Sequence, residues 1–137
     1  MEKAIPTHAV KAVITNNQGD ILFLQRDGKA RADGKSSWDL PGGLVEVGED
    51  DAVALEREVE EETKRKAKVG QELGKWTFFR PFDGNTVEVT NYAVTLDTTS
   101  IDELTLSDEH TAAKFISRAA LTDLEVKDPS ILEALGE

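Results

Sequence analysis

The stretch from Trp38 to Lys66, WDLPGGLVEVGEDDAVALEREVEEETKRK, constrains this chain more than any other. It joins a glycine-rich turn, Pro41-Gly42-Gly43, to a segment with helical periodicity. At about 100° per residue, Ala52, Leu55, Val59 and Thr63 share an arc of roughly 80°, an apolar stripe able to pack on a sheet. Glu58, Glu61 and Glu62 share the neighbouring arc, because residues three and four apart are neighbours on a helix surface. Three carboxylates held so close repel one another unless a cation lies between them. Hard oxygen donors of this kind suit Mg²⁺, or Mn²⁺, ions that keep several waters and bind substrate phosphates. Arg57 adjoins Glu58 and precedes Glu61 by four residues, so it can pair with either acid and hold it in place. Gly42 and Gly43, lacking side chains, let the backbone approach whatever the cation binds.

The same acids could instead form a solvated face, with Glu60 to Lys64, Glu61 to Arg65 and Glu62 to Lys66 as ordinary ion pairs. A solvated face, however, would not require the longer pattern. Gly43, Glu49, Arg57, Glu58, Val59, Glu61 and Glu62 stand at the spacing G-x5-E-x7-R-E-(apolar)-x-E-E. That pattern resembles the signature box of the Nudix hydrolases, MutT-like and without an assigned subfamily. Where the family's box ends in glycine and an apolar residue, this chain has Lys64 and Arg65. A left-handed turn at Lys64 would cost about 1 to 2 kcal/mol relative to glycine. The helix is therefore expected to run from Asp51 to Lys64 or Arg65, with Asp50 as its N-cap.

A length of 137 residues predicts one domain, residues 1–137, with a proper core. The chain has no cysteine, which excludes a disulfide framework and a thiolate metal site. No stretch approaches the apolar length of a membrane span, and the N-terminal residues lack a secretory h-region, so the chain reads as soluble and cytoplasmic. Sixteen basic against 27 acidic residues give a net charge of −11, which argues against wide contact with nucleic acid or an anionic membrane. A small phosphorylated substrate stays compatible with that charge if cations neutralise the site.

Around the acidic helix the chain alternates strands and turns. THAVKAVIT, residues 7–15, and ILFLQ, residues 21–25, read as a hairpin about the Asn16 to Asp20 turn. Residues 27–36 read as a surface loop beside the site, with Arg26 where the strand gives way to it. KWTFF, residues 75–79, and TVEVTNYAVTL, residues 86–96, read as two strands about a turn at Pro81 to Asn85. Thr98 to Asp108 reads as a loop with one turn of helix, followed by a short strand at Lys114 to Ile116. Two C-terminal helices are expected, Arg118 to Asp123 capped by Ser117, and Ser130 to Leu135 opened by Pro129. This order fits an α/β fold, an α/β/α sandwich with a mixed β-sheet, which is also the fold the resemblance implies.

The resemblance further implies hydrolysis of a diphosphate bond in a nucleoside diphosphate linked to another group, such as a (d)NTP or ADP-ribose. It makes Glu58, Glu61 and Glu62 the metal carboxylates, with the Gly42 carbonyl a further ligand. Arg57 would orient the acids, Glu49 would support the turn or the metal's outer shell, and Arg26 would bind a substrate phosphate beside Gly42 and Gly43. One of the same glutamates, or an acid on a separate loop, would take the attacking water's proton, and Glu109, with Asp108, is the candidate for the separate acid. His110 and His8 carry no assigned role, and His8 reads as structural. One or two of Trp76, Phe78, Phe79, Phe82 and Tyr92 could stack on a nucleobase, although core packing accounts for most such residues. Pro81, sixteen positions after Arg65, resembles a spacing found in ADP-ribose pyrophosphatases; triphosphate pyrophosphohydrolases are the other expected class. The alternative function is a Nudix-like regulatory module that binds a nucleotide without hydrolysing it. An edge strand leaves a homodimer open.

Overall fold

Two nearly continuous apolar runs, one in each of the first two strands, decide the architecture. Ala9, Val10, Ala12 and Val13 are buried in the first, and Ile21, Leu22, Phe23 and Leu24 are fully buried in the second. Strands covered on both faces need neighbours on both sides. In the computed structural model, residues 6–26, 37–81, 83–98, 100–106, 110–117 and 119–120 are described. The elements are β1 (His8–Val13), β2 (Ile21–Arg26), β3 (Ser37–Asp39), β4 (Gly42–Leu44), α1 (Asp51–Thr63), β5 (Ala67–Arg80), β6 (Asn85–Leu96), a 3-10 turn at Ile101–Glu103, and β7 (His110–Ile116). They form a four-stranded sheet in the order β4-β1-β6-β5 and a three-stranded sheet in the order β3-β2-β7. β1 runs parallel to β6 and antiparallel to β4, so the larger sheet is mixed. This is the α/β sandwich with a mixed sheet that the sequence implied.

The expected β1–β2 hairpin does not form. The two strands lie in different sheets and meet at their turn, through the bridge Thr15 to Ile21, the Leu22 amide donating to the Ile14 carbonyl at 2.8 Å and the Asn16 amide donating to the Asp20 carbonyl at 3.0 Å. The connecting turn itself is as expected: Asn16 Oδ1 accepts from the amides of Gln18 and Asp20, and Gly19 takes a positive φ of 81°. β5 begins at Ala67 rather than Lys75, because β6 supplies partners as far as Leu96; register shifts between Val69 and Gly74 accommodate a stretch that lacks alternation. β7 likewise begins at His110 rather than Lys114. The C-terminal helices, apart from a turn in which the Ala120 amide donates to the Ser117 carbonyl, lie outside the described residues. No helix among the described residues is long and apolar enough to cross a membrane.

Helix α1 packs on the larger sheet through Leu55 and Val59, which join Val10, Ala12, Val94 and Leu96 in the main core. Asp50 is its N-cap, accepting from the amides of Ala52 and Val53. Its end differs from expectation: the last helical residue is Thr63, and Lys64 is left-handed at φ 59°. Tertiary contacts impose this exit. The Thr63 carbonyl accepts from the Thr105 amide at 3.0 Å, and Arg65 is drawn away by Asp97 at 2.8 Å. Lys64 therefore bears the left-handed cost that glycine would avoid. Lys64→Gly is expected to stabilise the protein by about 1 kcal/mol, raising the thermal midpoint by roughly 3 °C; an unchanged or lower midpoint would refute the strain.

Candidate active site

The acidic face of α1 lies against the edge strand β4, and the contact depends on the two glycines. Gly42 and Gly43 are not a turn, as the sequence suggested, but strand residues opposite Lys11 and Val10 of β1, with the bend at Pro41. Gly42 takes φ 141°, and a Cβ there would lie 2.1 Å from the Val10 carbonyl oxygen. A Cβ on Gly43 would lie 2.9 Å from the Glu58 carboxylate. Backbone and carboxylates thus meet at a distance only glycine permits.

Glu62 is buried, and its Oε1 accepts from the Gly42 amide at 2.8 Å. The buried stripe of α1 accordingly comprises Ala54, Leu55, Val59, Glu62 and Thr63, whereas Ala52 is only half-buried. Burial pushes the Glu62 carboxyl up to about 8, opposed by the charge of Lys11 and by the Gly42 amide, with Glu58 and Asp39 adding to the rise. Burial also raises Glu58, and Arg57 opposes that rise. Arg57 Nη1 donates to Glu58 Oε1 at 2.9 Å, while its Nη2 reaches Glu49 Oε1 at 3.2 Å. The guanidinium therefore bridges Glu49 and Glu58, and its bonds hold the Glu49 carboxyl below its ordinary range. Glu49 is fixed in turn by the Glu46 amide at 3.1 Å. Glu61 is exposed and lies 3.9 Å from Arg57 Nη1.

Among the described residues, no three His, Cys, Asp or Glu side chains converge as a metal-holding group. Glu62 is turned onto a backbone amide and Glu58 onto a guanidinium, so each acid is satisfied by protein donors. The chemistry of the donor set nevertheless fits a hard divalent cation. Glu61 raises the proton affinity of Glu58, and Glu58 that of Glu62, as oxygen donors sharing one region of negative potential must.

The other expected residues divide. Arg26 ends β2, its backbone opposite Ser37 of β3 and His110 of β7. Glu109 and Asp108 lie outside the described residues. His8 is structural, as expected: its Nε2 lies 3.1 Å from Asp51 Oδ2, which also accepts from the Tyr92 hydroxyl at 2.9 Å, tying β1 and β6 to the start of α1.

Sequence reasoning missed a second group beside the acids. Lys11 Nζ donates to Asp39 Oδ2 at 3.0 Å and to the Leu40 carbonyl at 3.2 Å, with both charged side chains largely buried. They line a cavity of about 320 Å³ with Trp76, Phe78, Phe79 and Arg80, and Pro81 lines it too. That volume is at the lower end of small-molecule sites. Trp76 and Phe78 stand 5.9 Å apart, centroid to centroid, and Phe79 is exposed. A lysine within the apolar run HAVKAV was the available signal. Arg80 is held by Asp83 Oδ2 at 2.7 Å and by the Pro6 carbonyl at 2.8 Å.

The fold recurs in known structures. The MutT protein from Methanosarcina mazei Go1 superposes with a TM-score of 0.79 at 26% identity, covering 99% of this chain and 94% of that one. The E. coli ORF135 protein gives 0.76 at 26% identity, covering 94% and 85%. A C. elegans Ap4A hydrolase shares the fold, at a TM-score of 0.71 and 22% identity, covering 95% and 93%. No curated protein sequence matches the chain. The NUDIX domain model matches residues 6–135, nearly the whole chain, and its acids, arginine and glycines meet at one edge of a mixed sheet; the chain is a MutT-like member of the Nudix family.

Proposed function

We propose that the protein is a Mg²⁺-dependent hydrolase of a diphosphate bond in a nucleoside diphosphate derivative, such as a (d)NTP or ADP-ribose. The observation that carries this reading is the buried Glu62 beside Glu58, held against the β4 backbone where only glycine fits. Glu58, Glu61 and Glu62, with Gly42, would hold Mg²⁺ or Mn²⁺, whose charge neutralises diphosphate oxygens and acidifies a bound water. Arg57, gripped by Glu49, fixes Glu58 and leaves the chain little to reorganise during the reaction. Gly43 leaves room for the Glu58 carboxylate, which a Cβ there would meet at 2.9 Å. Arg26, at the end of β2, is our candidate for a phosphate contact, and Glu109 for an acid that takes the water's proton. The nucleobase would lie in the cavity lined by Trp76, Phe78 and Phe79, which shares Lys11 with the acid cluster.

The family acts on varied compounds: related structures include a UDP-X diphosphatase, an ADP-ribose pyrophosphatase and a dihydroneopterin triphosphate pyrophosphohydrolase. A screen of dNTPs, ADP-ribose, dinucleoside polyphosphates and nucleotide sugars, with and without Mg²⁺, tests the reading by chromatography of products. Mg²⁺-dependent release of a nucleoside monophosphate is expected, and the co-product distinguishes triphosphate from ADP-ribose cleavage. Nucleotide binding with no turnover of any compound would instead make the protein a regulatory module.

A further inference from the structure

The outer edge of β5 is treated differently along its two halves. β5 ends the four-stranded sheet, and among the described residues no strand pairs with its far side. An open row of N–H and C=O groups is a template for another strand, and proteins blunt it with charges, bulges or cover. The first half is blunted in this way. The Ala67 amide donates to Glu60 Oε2 and the Val69 amide to Glu56 Oε2, each at 3.2 Å, so acids of α1 occupy the edge there. Register shifts follow between Val69 and Glu72 and between Glu72 and Gly74.

The second half keeps one charge, Lys75, and no bulge. Pairing with β6 is unbroken from Gly74 to Arg80. Residues 73–79, LGKWTFF, contain no Asp or Glu, although the chain carries a net charge of −11. Aromatic and β-branched residues here favour an extended strand. Leu73, Lys75, Thr77 and Phe79 are exposed, and Gly74, Trp76 and Phe78 alternate with them half-buried. Leu73 is 48% and Phe79 63% exposed, so two large apolar side chains stand in solvent on one strand.

That pattern has a centre. Leu73 and Phe79 lie three positions either side of Trp76, and Lys75 and Thr77 lie one position either side. We propose that β5 is the interface of a homodimer, in which residues 73–79 of two copies pair antiparallel about a two-fold axis at Trp76. Residues opposed in such a ladder share a face. Leu73 of each copy then covers Phe79 of the other, Lys75 faces Thr77, and Phe78 covers Gly74, where there is no side chain. Two acidic chains thus meet along a stretch without acids, and no carboxylate is set against another. The ladder stops where Gln71 would face Pro81, which has no N–H to give. A two-fold contact is closed, so assembly ends at the dimer. The acid cluster lies at β4, the opposite edge of the sheet, and stays open in both copies.

Sedimentation equilibrium and light scattering of the full-length protein test this, with a mass of twice the chain's 15.0 kDa as the expected result. Thr77→Lys, an exposed change, sets like charges opposite each other at two places and should weaken the dimer about tenfold. Its circular dichroism should match the parent's. Adding Lys75→Glu to Thr77→Lys sets opposite charges in the same places and should restore the dissociation constant to within about threefold of the parent's. In any other register positions 75 and 77 do not face each other, so the second change would not compensate the first. Should Thr77→Lys fail to fold, Leu73→Glu, which removes the contact with Phe79, is expected to weaken the dimer in its place. A monomer at concentrations up to about 1 mM, assembly beyond the dimer, or a folded Thr77→Lys with the parent's affinity overturns the interface. A double variant as weak as Thr77→Lys alone overturns the axis at Trp76.

Discussion

Glu62→Gln is expected to stabilise the cation-free protein at pH 8 while removing most of its hydrolytic activity. A carboxyl has an ordinary value of 4.5, and burial lifts Glu62 to about 8 in the folded chain. Between those values the folded state holds a proton that the unfolded state has released. Stability from this group is thus greatest below about 4.5 and is lost as pH rises toward 8, by on the order of a few kcal/mol. Gln is neutral throughout and can still accept from the Gly42 amide. The variant's stability should therefore show less decline across that window, and its midpoint at pH 8 should exceed the parent's. Mg²⁺ should raise the parent's midpoint, by mass action on the folded state, and move the variant's much less. Hydrolysis should fall on the order of 100-fold or more, as expected when a metal-holding group is lost. A variant less stable than the parent at pH 8, or one as active, would remove Glu62 from the role assigned to it.

The two glycines of β4 should respond differently to the same substitution. At Gly42, an alanine Cβ meets the Val10 carbonyl oxygen at 2.1 Å and Lys11 Cα at 2.9 Å, both backbone atoms of the central strand. With φ at 141° as well, Gly42→Ala should cost at least about 3 kcal/mol and leave little folded protein at 37 °C. At Gly43, the Cβ meets the end of the Glu58 side chain at 2.9 Å, and that side chain can turn aside. Gly43→Ala should fold with a midpoint close to the parent's and lose activity about tenfold or more, because Glu58 leaves Arg57. Thermal melts with kcat/KM for both variants check the contrast. A well-folded Gly42→Ala, or a fully active Gly43→Ala, would contradict the packing described.

These outcomes trace how far the sequence could be read. The acidic helix was legible because its information is local: Glu58, Glu61 and Glu62 share a face by helical geometry, and Asp50 caps by a rule that spans three residues. The separation of β1 from β2 was not, since a local turn between two apolar runs looks the same whether the strands pair or diverge. Each takes one of its partners from far along the chain, β6 for β1 and β7 for β2. The exit at Lys64 was misread for a similar reason: Thr105 and Asp97 impose it, and no residue near position 64 announces them. Lys11 and Asp39 are likewise unremarkable in isolation, and only the packing of one sheet on the other brings them together beside Trp76.

The parallel pairing of β1 with β6 also governs how the molecule can be assembled. His8 cannot find Glu88, nor Val13 find Ala93, until the intervening helix and the long strand β5 have been made. Closing so long a loop is entropically costly, and folds built on such contacts form slowly. A nascent chain that ends after α1 holds the complete acidic signature but only the β4–β1 edge of its sheet. The apolar stripe of α1 is left to wait for Val94 and Leu96, so the signature gains its shape late in synthesis, when β6 arrives.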